Sequence, residues 1–266
     1  MVDIFFDKLY RYPRINECVS IAVPFAKGEL YNTDNISIVQ NKRKCIIQPK
    51  VTAEYDDGSI KYLFVDFMAD LPANKLAKAV LTTTKQELAN LIADGQSECA
   101  KQDGTVSVTP VNNGFLIKCG SLEYEVANNS SSIFRQLNDY RKVYTDKNFE
   151  GPYLKDKDGN AYKLKIGEWK VEAGPVTASV EAECSNIAVG NIENKNIKAV
   201  IKVTGYAGKP WVNITYRIIN TSDDELKIKS LVFYIKKSED SVITEQLKPL
   251  KIVAGNDSTG CGDIRT

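Results

Sequence analysis

The sequence predicts an all-β protein. Apolar or alternating runs recur at roughly 8–12-residue spacing, set off by Gly, Asn and Asp turns. The clearest two runs, residues 46–54 and 60–71, meet at Asp57-Gly58. Gly accepts a positive φ without a Cβ clash and Asp tolerates the left-handed region, so this pair marks a hairpin. The second run is almost wholly apolar or aromatic, which predicts a central strand covered on both faces.

Other elements follow in chain order. Val19, Ile21 and Val23 alternate as in a half-buried strand, which Pro24 limits and the turn at Gly28 follows. Residues 36–39 form a second short strand. Asn41-Lys42-Arg43-Lys44 reads as a solvated turn. A strand over residues 75–83 is followed by one short helix over 85–93. Val106 and Val108 begin another strand, and residues 115–126 make a strand pair broken at Gly120-Ser121. Asp156-Lys157-Asp158-Gly159-Asn160 resembles the start of a calcium loop. A Gly167 stands where such a loop needs its bidentate glutamate, so a plain turn is expected. Trp169 to Glu172 leads to Gly174-Pro175 and a strand over 176–183. Residues 197–204 and 211–219 pair across a Gly-rich turn, and 226–236 is the last clear strand. Beyond residue 238 periodicity is lost, and the sheet reads as unfinished.

Composition narrows the function. The chain has 266 residues, enough for one or two domains. A count of 35 Lys and Arg against 34 Asp and Glu gives no field that would draw it to nucleic acid or an anionic membrane. No run approaches the roughly 20 apolar residues of a membrane span. The start lacks a basic segment followed by a long apolar run, so a cytoplasmic chain is expected, with a leader removed before residue 1 as the alternative. Histidine is absent, which excludes Ser-His-Asp and Cys-His catalysis and histidine metal ligands. Cys18, Cys45, Cys99, Cys119, Cys184 and Cys261 are widely spaced and suit buried thiols better than a disulfide scaffold or a zinc site. No cofactor or metal is expected.

Candidate chemistry is sparse. Asp56, Asp57, Asp66 and Asp70 lie near the central hairpin, where alternation puts Asp66 and Asp70 on the side of Tyr62 and Phe64. A carboxylate pair for acid–base work competes there with turn caps and salt bridges. Trp169, Trp211, Tyr206 and Tyr216 are candidates for stacking on a sugar ring, against a default role in core packing. The sequons Asn35-Ile36-Ser37 and Asn213-Ile214-Thr215 matter only in a secreted setting.

Several phrases together resemble the exo-rhamnogalacturonan lyase-like family. Val19-Ser20-Ile21-Ala22-Val23-Pro24-Phe25-Ala26-Lys27-Gly28-Glu29-Leu30 is followed by Tyr55-Asp56-Asp57-Gly58-Ser59-Ile60-Lys61-Tyr62. They are similar to that family's "G-V-P-F-P-x-G" and "W-P-D-G-S-V-K-W" phrases, with Ala22, Ala26, Tyr55 and Tyr62 as departures. Lys157 to Tyr162, Glu172-Ala173-Gly174-Pro175-Val176 and Thr204 to Pro210 resemble the family's second domain. The resemblance implies a RIFT-type β-barrel, placed at residues 1–102, followed by an antiparallel β-sandwich at 103–266, truncated at its C-terminal end. In that family a downstream α/α toroid carries β-elimination of pectic glycans. This region would then be a non-catalytic scaffold and one wall of the substrate cleft, with an oligosaccharide substrate and the downstream catalytic domain as partners. The alternative is a free-standing β-module that binds carbohydrate or a protein. No catalytic, cofactor-binding or metal-binding residue is assigned.

Overall fold

Strands form wherever apolar side chains alternate with polar ones, and two separate cores result. The computed structural model describes residues 1–8, 11–92, 106–139, 141–188, 193–223, 225 and 227–236. The first part holds β1 (Val2–Phe6), β2 (Arg14–Pro24), β3 (Ser37–Gln40), β4 (Arg43–Lys44), β5 (Ile47–Glu54), β6 (Ile60–Leu71), β7 (Ala77–Thr82) and the single α-helix among the described residues, α1 (Lys85–Leu91). A four-stranded sheet runs β1-β7-β3-β4 and a three-stranded sheet runs β2-β6-β5. Both bury apolar residues in one core that includes Val23, Phe25, Ile38, Leu63, Val65, Phe67 and Leu81.

The central hairpin forms as expected. Gly58 takes φ 79°. Its N–H donates to the Tyr55 carbonyl at 2.9 Å, and the Tyr55 N–H donates to the Ser59 carbonyl at 2.8 Å. On β6, Leu63, Val65 and Phe67 face inward and are fully buried. The expected cover on the other face is only partial. Phe64 and Asp66 are half-buried and Tyr62 is 44% exposed. The basic stretch 41–44 is also only partly a turn: Asn41 and Lys42 take positive φ, whereas Arg43 and Lys44 form β4.

The second part is a β-sandwich. Its smaller sheet contains β8 (Val106–Val111), β9 (Gly114–Cys119), β10 (Leu122–Ala127), β11 (Gln136–Asn138) and β12 (Val143–Thr145). The larger contains β13 (Phe149–Asp156), β14 (Ala161–Ile166), β15 (Lys170–Ala173), β16 (Thr177–Ala188), β17 (Glu193–Tyr206), β18 (Val212–Asn220) and β19 (Ile228–Ile235). The orders are β12-β11-β10-β9-β8 and β18-β17-β16-β14-β13-β19, with β15 on β16. Alternation on β16 buries Ala178, Val180 and Ala182 and leaves Glu181 and Glu183 exposed. The sandwich core includes Ile117, Tyr124, Phe134, Ile166, Trp169, Val180, Ile201 and Val203. The expected joint near residue 102 and everything beyond residue 236, including the expected truncation, lie outside the described residues. So do Cys99 and Cys261. Cys18, Cys45, Cys119 and Cys184 are free thiols.

Among the described residues, one buried side-chain polar atom of the sandwich core has no partner. The Tyr124 hydroxyl is buried and makes no hydrogen bond among the described residues. It lies under Gly205, where a Cβ would stand 3.0 Å from it and would also collide with the Cys119 sulfur. Removing an unsatisfied buried hydroxyl costs little, whereas overpacking costs about 1–3 kcal/mol. Tyr124→Phe should therefore keep or raise the urea midpoint, and Gly205→Ala should lower stability by about 1–3 kcal/mol. A marked loss of stability in Tyr124→Phe would contradict this packing.

Candidate functional site

The polar side chains with tertiary roles gather where the outer face of β2-β6-β5 meets the start of β16 and the β17–β18 turn. One row of that sheet aligns Ser20, Asp66 and Gln48 across the three strands. The Gln48 Oε1 accepts from the backbone N–H groups of Val176 at 3.1 Å and Thr177 at 2.9 Å. Asp66 Oδ2 accepts from the Thr177 hydroxyl at 3.2 Å, and Oδ1 accepts from the Ser20 hydroxyl. Gly174 makes this approach possible. A Cβ there would stand 2.5 Å from Gln48 Oε1.

Ion pairs flank the row. Lys209 Nζ lies 3.1 Å from Glu17 Oε2, with both side chains at least four-fifths buried. Lys50 and Glu172 form an exposed pair at 2.6 Å. Exposed pairs of this kind add at most about 1 kcal/mol. Cys18 sits beside the row. Burial, then the Asp66 and Glu17 carboxylates, pushes its thiol up from 9.0 to about 12. Tyr206 is half-buried nearby, and burial followed by Cys18 raises its hydroxyl as well.

The central hairpin has its own fixed partners. The Gly28 N–H donates to the Ser59 hydroxyl at 2.9 Å, the Tyr55 hydroxyl donates to the Phe25 carbonyl at 3.1 Å, and the Ile60 N–H donates to the Leu30 carbonyl at 2.7 Å. The two phrases of the first part are thus one interlocked unit.

Most candidate side chains prove structural. Asp57 accepts from the Ser59 hydroxyl and N–H, which together hold its carboxyl below the usual range. Asp70 accepts from the Asn16 N–H at 2.9 Å, while Asp56 is exposed on the turn. Asp66 and Asp70 are thus engaged by different neighbours. Asp156 accepts from the N–H groups of Asp158 and Asn160, from the Asn160 side chain and from the Tyr162 hydroxyl, as a turn cap does. Among the described residues, no group of three or more acidic or thiol side chains is arranged to hold a metal ion, and no helix is long and apolar enough to cross a membrane.

Stacking on sugar is ruled out for Trp169. It is 5% exposed and its indole N–H donates to the Ala127 carbonyl at 3.0 Å. Tyr216 packs against the sandwich core, and its hydroxyl donates to Asn186 Oδ1 at 3.3 Å. Trp211 is 45% exposed and lies against Tyr206, with ring centroids 4.6 Å apart. Sequence reading did not single out Gln48, Thr177, Glu17 or Lys209. Their signal was indirect: Gly174-Pro175 and the Gly-rich 204–210 turn stand out as turns in the sequence, and both end up at this seam.

Residues 7–67 match the family model described as the PcRGLX-like N-terminal RIFT barrel domain. The matched residues extend from before β2 into β6. The match supports the exo-rhamnogalacturonan lyase-like family, and it identifies the first part as a RIFT barrel domain. A comparison with curated proteins finds no match.

Two outcomes test the seam. Gln48→Ala leaves the N–H groups of buried Val176 and Thr177 without their acceptor, and should cost about 1–3 kcal/mol in urea unfolding followed by Trp169 fluorescence. An unchanged midpoint would contradict the bridge. Cys18 ionises near 9.0 when unfolded and near about 12 when folded. Between those values the unfolded state holds fewer protons, so this thiol's share of stability is intact below 9.0 and is lost as pH rises toward about 12. Stability of the native chain should therefore fall more steeply over that interval than in Cys18→Ser. Identical slopes would show that Cys18 is not desolvated.

Proposed function

We propose that this chain is the N-terminal, non-catalytic region of a rhamnogalacturonan lyase-like protein acting on pectic glycans by β-elimination. It serves as a scaffold and as one wall of the substrate cleft. Its partners are an oligosaccharide substrate and a downstream catalytic domain. The observation that carries this reading is the seam, where Gln48 and Asp66 of the RIFT barrel domain bond directly to Thr177 of the sandwich. Such bonds fix the angle between the two β-units, as a scaffold requires. Meanwhile the carboxylates Asp57, Asp66 and Asp70 are engaged by neighbouring groups rather than poised as an acid–base pair.

A second reading has one observation in its favour. Trp211 is half-exposed against Tyr206 beside the seam, an arrangement suited to stacking on a sugar in a free-standing carbohydrate-binding module. Because Trp169 is buried, quenching of tryptophan fluorescence by an oligosaccharide would report on Trp211.

The scaffold reading predicts a division of labour. Residues 1–266 alone should release no unsaturated uronate from rhamnogalacturonan, measured by its ultraviolet absorbance, whereas the full-length gene product should release it. Unsaturated product from the isolated chain would overturn the non-catalytic role.

A further inference from the structure

The outer face of the larger sandwich sheet carries a groove that the seam does not use. Its volume is about 740 Å³, and it is lined by Lys165, Ser185, Lys198, Glu183, Asn129 and Ile219 among others. That volume falls within the roughly 300–1,000 Å³ typical of small-molecule sites. Register explains how it forms. Lys165 on β14 pairs with Ser185 on β16, Ser185 pairs with Lys198 on β17, and Lys198 pairs with Ile219 on β18. All four therefore lie in one row. Adjacent strands are about 4.8 Å apart, so the two lysine backbones stand about 10 Å apart astride the serine. Flexible four-carbon stems let both ammonium groups lean over the serine hydroxyl.

These groups are not neutralised by one another. Among the described residues no ion pair engages Lys165, Lys198 or Glu183, and no hydrogen bond engages the Ser185 hydroxyl or the Asn129 side chain. The next row on the same face carries Glu183 opposite Val200, which in turn faces Arg217. One row further, Glu181 faces Lys170 on one side and Lys202 on the other, alternating in charge. In the groove row a neutral serine takes the middle place that Glu181 holds there, so the two lysines have no carboxylate between them.

We propose that Lys165 and Lys198, with Ser185 between them, form a carboxylate subsite for an acidic sugar on the outer face of the sandwich. The two ammonium groups take the uronate carboxylate through charge-assisted bonds. The Ser185 hydroxyl and the Asn129 amide donate to ring or hydroxyl oxygens, and Glu183 accepts from a sugar hydroxyl. Ile219 and the adjoining backbone supply an apolar wall. Two ammonium groups against one carboxylate keep the groove net cationic and select acidic over neutral glycans. The proposal rests on the pectic reading above for the identity of the acid.

Calorimetric titration of the chain with digalacturonate tests it, with neutral galactobiose, sulfate and a rhamnogalacturonan oligosaccharide as further probes. Digalacturonate should bind more tightly than galactobiose or sulfate. Lys165→Ala/Lys198→Ala should weaken it about tenfold, a change of 1.4 kcal/mol, while Lys202→Ala, two rows away on the same face, should not. Lys165→Gln/Lys198→Gln, with an unchanged unfolding midpoint, guards against a folding defect. Equal affinity in the double variants, sulfate binding as tight as digalacturonate, or no binding of any acidic probe would overturn the subsite. Rhamnogalacturonan binding that ignores the double substitution would overturn the subsite and leave the pectic reading standing. Digalacturonate binding sensitive to both lysines, with no β-elimination by the full-length product, would support the subsite and remove the lyase reading.

Discussion

One side-chain carbonyl governs how the two β-units sit together. Gln48 Oε1 accepts two backbone N–H groups from consecutive residues, Val176 and Thr177. Those donors belong to the residues at which the chain enters β16, the long strand around which the larger sandwich sheet is built. An amide oxygen has two lone pairs, and here both are used. The contact is tight enough to require a glycine at 174, since any Cβ there would overlap the glutamine. Asp66, one strand over in the same row, adds the Thr177 hydroxyl. Nearly all the geometry at the seam follows from this row facing this turn.

The same constraint explains why the family-like phrases are distant in sequence yet belong together. Residues 25–30 and 55–60 hold each other through Gly28, Ser59, Tyr55 and Ile60. Residues 172–177 and 204–210 both reach the outer face of the barrel, through Gln48 and Glu17 respectively. The contacts made at these places are structural, between side chains and backbone groups or between charged side chains. A largely buried Lys209–Glu17 pair does not by itself stabilise a fold, since desolvation opposes the Coulomb gain. Its role is to fix which turn sits on which strand.

Much of the fold was legible from residues, for physical reasons that differ by region. The hairpin at Asp57-Gly58, the pair β9–β10 and the strands β16 to β18 all combine apolar or alternating runs with a turn residue that has few alternatives. The helix over Lys85–Leu91 was legible from its helix-favouring Lys, Gln, Glu and Ala; its cap, Thr84 accepting from the Glu87 N–H at 3.2 Å, was not, because a threonine triplet reads as strand. By contrast, β11 and β12 are three-residue strands with no alternation to detect, and the neighbouring Ile133 and Phe134 are buried from a loop. The seam was also hidden. Gln48 lies in a strand pattern that gives no sign of a partner more than a hundred residues away. Trp169 takes the core-packing role that is the default for such a residue rather than the sugar-stacking one, and its indole N–H finds a carbonyl inside the sandwich. Partial cover of β6 was equally invisible: alternation tells which residues share a face, but not how far a second domain extends over it.

The central claim is that the Gln48 bridge makes the barrel and the sandwich one mechanical unit. Native-state hydrogen exchange of the Val176 and Thr177 amides tests it most directly. If the bridge holds, both amides exchange as slowly as those of the sandwich core, such as Val203, and Gln48→Ala accelerates them selectively. Rapid exchange of both amides in the native chain, at the rate of an exposed turn, would contradict it.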